Sequence, residues 1–264
     1  MQHLVLEGRR VEYRDVPATA AGRPVLVLLH EGLGSASMWG KFPERLAEAT
    51  GCRVLVPSRA GYGQSEPYPE PRNARYQHRE GEEALPVLLA ALGVVRPVVI
   101  GHSDGGTMAL LYAAAHPDAP LGIALMAPHE FIEEETLAGI RAAGEVWRTT
   151  EWPARLARHH ADAARVFREW HDIWLSPEYR HWNIVDRLPH ITCPILAIQG
   201  VDDEYASLRQ IEVIAEQVPG TRLLALPDCG HSPHRDQPAA LLAALAEFIN
   251  TLAQSSGPGT TQEP

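Results

Sequence analysis

Short apolar runs alternate along the chain with longer stretches whose apolar residues recur every three or four positions. The runs predict β-strands, and the periodic stretches predict helices with one apolar face. The predicted strands cover residues 4–6, 11–13, 25–30, 54–56, 97–101, 121–126, 194–199 and 222–226. The predicted helices cover residues 37–49, 80–92, 105–115, 207–217 and 238–252. This alternation predicts an α/β fold, with a mostly parallel sheet covered by helices on both faces.

One long segment breaks this alternation. Residues 129–190 are rich in charged residues and have helical spacing without a convincing strand, which predicts a helical cap inserted into the α/β unit. The core then comprises residues 1–128 and 191–252. Residues 253–264 contain few groups that could be buried, so this tail is expected to be disordered.

Composition restricts the classes of function. The 264 residues are 45% hydrophobic and 21% charged, as in ordinary globular enzymes, and carry a net charge of −10. That charge makes nucleic acid an improbable partner and favours a neutral or cationic ligand. No apolar run is long enough to cross a membrane, and the start lacks the pattern of a signal peptide, so a cytoplasmic protein is expected. The three cysteines lack zinc-site spacing and predict buried thiols, and neither a metal nor a cofactor is expected.

The strongest chemical signal is G-H-S-D-G-G at residues 101–106. It places G-x-S-x-G between an apolar strand and a helix, the context of a nucleophile elbow, in which a sharp turn exposes the serine hydroxyl. Ser103 is therefore the predicted nucleophile. A structural serine in a glycine turn is the alternative.

A serine hydroxyl needs a base to remove its proton and a carboxylate to orient that base. His231 follows the strand predicted at 222–226 and is the preferred base, with His234 as its rival. Asp203, three residues after Gly200, is the preferred acid, and Asp202 is the second choice.

Acyl transfer also requires N–H donors for the developing oxyanion. The backbone N–H of Asp104, directly after Ser103, is one predicted donor. The second is expected from the loop after the strand at 25–30, with Gly32 preferred and Leu33 as the fallback. A glycine turn that merely leads into the next helix would give the same pattern.

Five segments in this order resemble the α/β-hydrolase superfamily. They are residues 30–32, 61–65, 101–106, 200–203 and 230–231, and the resemblance spans about residues 4–252. It implies an α/β-hydrolase fold with a helical cap and hydrolysis of a small carboxylic ester through an acyl-enzyme on Ser103. The same triad would serve a C–C bond hydrolase, a lactonase or an amidase, and a non-catalytic ligand-binding member of the fold is a further alternative. The chain departs from the family at Glu31, where glycine is usual, and at Ser58-Arg59-Ala60, where an Asp and a shifted Arg are common.

Substrate contacts are expected around Ser103 and beneath the cap. Glu31 and Leu33 flank the predicted donor Gly32, and Trp174 and Trp182 belong to the cap, which holds five of the six tryptophans. The sequence Ser103-Asp104-Gly105-Gly106 and the position of the cap are similar to those of valacyclovir-hydrolase-like enzymes and other small carboxylesterases. The resemblance to the former implies that the Asp104 side chain binds the α-amino group of an amino-acid ester. Capping of the following helix by this carboxylate is the alternative. The sequence makes no prediction of oligomeric state.

Overall fold

A single eight-stranded sheet organises the chain in the computed structural model, which describes residues 1–255. The strands are β1 (Gln2–Leu6), β2 (Arg9–Val16), β3 (Val25–Leu29), β4 (Arg53–Pro57), β5 (Val98–His102), β6 (Gly122–Met126), β7 (Ile195–Gly200) and β8 (Arg222–Leu226). Their spatial order is β1-β2-β4-β3-β5-β6-β7-β8. β1 and β2 run antiparallel, and β2 is antiparallel to β4, whereas all other neighbouring pairs are parallel. The predicted mostly parallel sheet is confirmed.

Helices cover both faces of this sheet. The α-helices are α1 (Phe42–Thr50), α2 (Tyr76–His78), α3 (Leu85–Ala91), α4 (Asp104–Ala115), α5 (Glu134–Thr149), α6 (Trp152–Leu156), α7 (Ala163–Trp174), α8 (Arg209–Gln217), α9 (Pro233–Asp236) and α10 (Pro238–Ser255). Alternate residues of β3 serve the two faces: Leu26 and Leu28 pack in the cluster that contains α1 and α10. Val27 and Leu29 pack in the cluster that contains α3, α4 and α8. This period-two alternation is the geometry of a strand buried on both sides.

Three helices differ from their predicted form. The helix predicted at 37–49 is divided into a 3-10 helix, Ala36–Trp39, and α1, because Gly40 adopts a φ of +55° between them. The helix predicted at 80–92 begins as a π-helical segment, Arg79–Ala84, between α2 and α3, and Gly81 of this segment lies against the backbone of Met108.

The prediction that the tail is disordered from residue 253 onward is wrong for its first residues. Helix α10 continues to Ser255, since Leu252 is still buried and packs against Gly122, while residues 256–264 lie outside the described residues.

The segment between β6 and β7 is helical. It contains α5, α6, α7 and a 3-10 helix, Val185–His190, and within this described segment the only strand-like pairing is an isolated bridge between Phe131 and Asn183. Asp162 begins α7 by accepting a hydrogen bond from the N–H of Arg165, as an N-cap does. The apolar faces of these helices join the core cluster that lies over α4.

Two further findings concern the whole described chain. Within residues 1–255, no helix combines the length and the apolar character needed to cross a membrane. Cys52, Cys193 and Cys229 are all buried and unbridged, as predicted.

Candidate active site

Ser103 lies on a sharp turn between β5 and α4. Its φ of +51° is a left-handed value that costs energy for any residue with a Cβ. The flanking glycines make the turn possible. A Cβ at Gly101 would collide with the backbone of Gly105, and a Cβ at Gly105 would collide with the Leu29 carbonyl. The strained turn places Ser103 at the carboxyl end of the central strand, where a ligand can reach it.

His231 and Asp203 meet at the carboxyl ends of β7 and β8. The Nδ1 atom of His231 lies 2.9 Å from both carboxylate oxygens of Asp203. The two loops are held together upstream of this contact, since the N–H of Asp202 donates to the Cys229 carbonyl at 3.0 Å. The Asp203 side chain is fully buried, while Asp202 is exposed. Of the two neighbouring carboxylates, it is therefore Asp203 that contacts the imidazole.

Further hydrogen bonds fix the Asp203 carboxylate. Gln199 Nε2 donates to Oδ2 at 2.6 Å, and the N–H of Tyr205 donates to Oδ1 at 2.8 Å. Burial alone would raise the pKa of Asp203, but the charge and hydrogen bond of His231 lower it below its ordinary value. Burial likewise opposes protonation of His231, yet Asp203 raises the pKa of this imidazole above its ordinary value. The pair thus stabilises a positive charge on His231.

The neighbouring histidines are electrostatically different. Burial lowers the pKa of His102 to about 4, that of His129 to about 3 and that of His234 to about 2. His234, the rival base, packs against Trp39 with ring centroids 4.9 Å apart. Of these imidazoles, only His231 is both paired with a carboxylate and inclined to accept a proton.

A cavity of about 200 Å³ lies above Ser103, between the sheet and the segment 129–190. Ser103 and His231 both line it. The other residues that line this cavity are Glu31, Gly32, Leu33, Met38, His102, His129, Thr136, Ile140, Trp152, Leu156, Trp170, Trp174, Glu204, Tyr205, Ser232 and Arg235.

The described residues show no hydrogen bond between the side chains of Ser103 and His231. Such bonds are often long in an unliganded enzyme and tighten on substrate binding.

The two residues predicted to supply oxyanion donors lie at the cavity and at the turn of Ser103. Gly32 belongs to the loop after β3 and lines the cavity, and Asp104 is the first residue of α4. Within residues 1–255, neither backbone N–H has a hydrogen-bond partner. The fallback residue, Leu33, also lines the cavity, and its carbonyl contacts His160 Nε2 at 3.0 Å. Gly32 cannot be replaced without movement, because a Cβ there would collide with the Trp170 indole.

The Asp104 side chain points away from the cavity into a buried polar network. Tyr76 donates its hydroxyl hydrogen to this carboxylate at 2.9 Å, and Gln77 and Arg59 donate to it at 3.2 Å. Neither sequence interpretation of this side chain is therefore supported. It is absent from the cavity lining, and it caps no N–H of α4, whose N-cap residue is Ser103.

The tryptophans of the segment 129–190 divide into two groups. Trp174 lines the cavity and donates its indole N–H to the Tyr76 hydroxyl at 3.1 Å. Trp182 does not line it: the ring stacks on Tyr179, with centroids 5.2 Å apart. Trp152 and Trp170 line the cavity instead. Helical spacing could have paired Trp170 with Trp174, since residues four apart share one face of α7.

Comparison with known proteins gives one consistent fold. The profile of the alpha/beta hydrolase fold family matches residues 24–165, more than half of the chain. A human relative, serine hydrolase BPHL, is 27% identical over 181 residues that cover 66% of this chain and 61% of that protein, less than two thirds of its length. A 2-hydroxy-6-oxo-6-phenylhexa-2,4-dienoate hydrolase from Burkholderia cepacia is 24% identical, covering 85% of this chain and 87% of that protein. The structure of a proline iminopeptidase from Mycobacterium smegmatis superposes with a TM-score of 0.77 at 20% identity, covering 96% of this chain and 99% of that one.

Proposed function

Because the chain belongs to the α/β-hydrolase family, whose relatives named above are hydrolases, we propose that it is a serine hydrolase that cleaves a small carboxylic ester. One observation carries the proposal. A strained, cavity-facing Ser103 shares its cavity with His231, whose Nδ1 lies 2.9 Å from both oxygens of the buried Asp203. A purely binding protein has no need for a serine held in this backbone conformation beside a paired imidazole.

The proposed reaction has two halves. His231 Nε2 takes the proton of Ser103 as Oγ forms a bond to the ester carbonyl carbon, and Asp203 stabilises the imidazolium. The tetrahedral intermediate then expels the alcohol, which leaves with the proton from His231. In the second half, water loses a proton to His231 and attacks the acyl-enzyme, and the carboxylic acid leaves as Ser103 regains its proton.

The N–H groups of Gly32 and Asp104 support the intermediate in this scheme. Both lack protein acceptors within residues 1–255, Gly32 lines the same cavity as Ser103, and Asp104 directly follows Ser103, so we take both N–H groups as donors to the oxyanion. The folded protein already holds these N–H groups in orientation, so the reaction needs no further free energy to orient them. Loss of one such donor typically lowers kcat by about a hundred- to a thousand-fold.

The size and lining of the cavity favour a substrate with a small acyl group. Its volume of about 200 Å³ and its mixture of aliphatic and indole groups suit a short acyl chain or a small ring. Glu31, Glu204 and Arg235 add charges around the lining, where a polar substituent of the substrate would meet them.

The test combines labelling with turnover. Wild-type protein should react with a fluorophosphonate at Ser103 and hydrolyse p-nitrophenyl acetate or butyrate. Ser103→Ala and His231→Ala should each lower kcat by about a million-fold, since members of a triad act as a unit. Ser232→Ala is the matched control, because Ser232 lines the same cavity but does not belong to the turn between β5 and α4, and this substitution should leave labelling intact. A Ser103→Ala protein that keeps several per cent of wild-type turnover would refute the proposal.

Hydrolysis of a C–C bond is the second candidate. It is favoured by the Burkholderia cepacia relative, which aligns with 85% of this chain. Assaying 2-hydroxy-6-oxo-6-phenylhexa-2,4-dienoate beside the p-nitrophenyl esters separates the two reactions. A kcat/KM that is higher on the dienoate than on every ester would favour C–C cleavage over ester hydrolysis.

A further inference from the structure

We infer that Arg59 is a positioning residue that sets the orientation of both oxyanion donors, an inference that rests on the proposed function. Arg59 follows β4 and is only 6% exposed. Its guanidinium lies between the loop that carries Gly32 and the start of α4, where Asp104 lies. One buried cation thus contacts the peptide group that carries one proposed donor, through the Glu31 carbonyl, and the side chain of the residue that carries the other, Asp104.

The first contact acts on the peptide group between Glu31 and Gly32. Arg59 Nη2 donates to the Glu31 carbonyl at 2.8 Å. In a trans peptide, the carbonyl and the N–H point in opposite directions, and the described chain has no cis peptide bond. Holding the Glu31 carbonyl toward Arg59 therefore directs the Gly32 N–H away from it, on the side of the cavity that Gly32 lines.

His30 acts on the same carbonyl. Its Nε2 accepts the backbone N–H of Arg59 at 3.1 Å, which leaves the proton on Nδ1, and Nδ1 donates to the Glu31 carbonyl at 2.8 Å. Burial and the charge of Arg59 lower the pKa of His30 well below its ordinary value, so this ring stays neutral. The N–H of Gly34 is a third donor, at 3.1 Å. Three donors converge on one carbonyl, and Arg59 supplies the only charged one.

The second contact acts on the other donor residue. Arg59 Nη1 donates to Asp104 Oδ2 at 3.2 Å, in an ion pair whose side chains are 5% and 1% exposed. Asp104 is the first residue of α4, and its own backbone N–H is the proposed donor. Anchoring the side chain restricts the φ and ψ of that residue and hence the direction of its N–H. The guanidinium therefore fixes the separation of the two donors.

Arginine suits this role for geometric reasons. Its planar group offers five N–H donors in a rigid fork, so Nη1 and Nη2 can serve two different acceptors at once, whereas a lysine ammonium is a single point charge. The positive charge also polarises the Glu31–Gly32 peptide and strengthens its N–H as a donor to an anion. Such effects are large here because the surroundings are of low dielectric.

The experiment separates positioning from stability. In Arg59→Lys, kcat on p-nitrophenyl butyrate should fall about a hundred-fold, as for one lost oxyanion donor, while KM changes little. Arg59→Met combined with Asp104→Asn is the second variant. It removes both charges together, so no unpaired buried charge remains to unfold the protein. Both variants should keep a cooperative thermal transition.

Arg72→Lys is the matched control. The Arg72 side chain is 10% exposed and lies over the same Tyr62 ring as Arg59, at 4.8 Å against 4.5 Å, but it makes no hydrogen bond to the loop of Gly32 or to Asp104. The Arg72→Lys variant should keep the wild-type kcat.

An alkyl trifluoromethyl ketone reports on the oxyanion directly, because Ser103 adds to its carbonyl carbon, passes its proton to His231 and leaves an oxyanion. Its affinity should fall in the Arg59 variants by the same factor as kcat/KM.

The outcomes are distinguishable. Wild-type protein that neither hydrolyses esters nor reacts with the ketone would refute the proposed function itself. Active wild type with an unchanged kcat in folded Arg59→Lys would overturn only the inference about Arg59. Equal losses in Arg59→Lys and Arg72→Lys, or failure of both Arg59 variants to fold, would assign Arg59 to stability and overturn it as well.

Discussion

His231 Nδ1 lies 2.9 Å from both oxygens of Asp203, and the neighbouring carboxylate, Asp202, faces solvent. We therefore expect Asp203→Asn to lower kcat by about ten-thousand-fold, because an amide neither selects the required imidazole tautomer nor stabilises the imidazolium. Asp202→Asn should stay near wild type. Steady-state rates on one ester test the pair, and a larger loss at Asp202 would contradict the assignment.

The pH dependence should follow the same contact. His231 acts as a base only when deprotonated, so kcat/KM should rise as pH increases through its pKa. Asp203 raises that pKa above its ordinary value, and Asp203→Asn should therefore move the acid limb of the profile to lower pH. His102 and His129, with pKa values of about 4 and 3, are already neutral in the pH range of this acid limb. An acid limb that does not move in the residual activity of Asp203→Asn would argue that another group titrates.

The two tryptophans selected from the sequence should now behave differently. Trp174 lines the cavity, so Trp174→Ala should change KM and the preference among acyl chain lengths. Trp182 packs on Tyr179 instead, so Trp182→Ala should lower the free energy of unfolding by about 3–5 kcal/mol and leave acyl preference unchanged. Kinetics on acetate to octanoate esters and thermal melts measure both effects. A shift in preference caused by Trp182→Ala alone would contradict this assignment.

The Asp104 side chain should not select amine-bearing substrates, because Arg59, Tyr76 and Gln77 already bind its carboxylate. Asp104→Asn should lower kcat/KM by the same factor on a free amino-acid ester and on its deaminated analogue. It should also lower the melting temperature, because the buried Arg59 loses its charged partner. A loss confined to the aminated ester would restore the α-amino role.

Several features of this protein are determined by sequence alone, and they are local ones. The turn at Ser103 requires small residues at Gly101 and Gly105, because backbone passes within contact distance of both, and G-x-S-x-G therefore marks the turn. The alternation of apolar runs with periodic stretches likewise determines which segments become strands and which become helices, and that most of the strands are parallel. Local backbone conformation and side-chain period depend on neighbouring residues, which the sequence displays directly.

Only the tertiary structure decided which polar groups face one another. Asp202 and Asp203 are adjacent residues of the same type, and spacing from Gly200 only favoured Asp203. The pairing of the loops after β7 and β8 buries the Asp203 side chain and leaves Asp202 exposed. Arg59 stands out in the sequence only as a departure from the family pattern. Its contacts with Glu31 and Asp104 join positions 28 and 45 residues apart in the chain. Side-chain direction and long-range contact are set by packing of the whole fold, which no local pattern encodes.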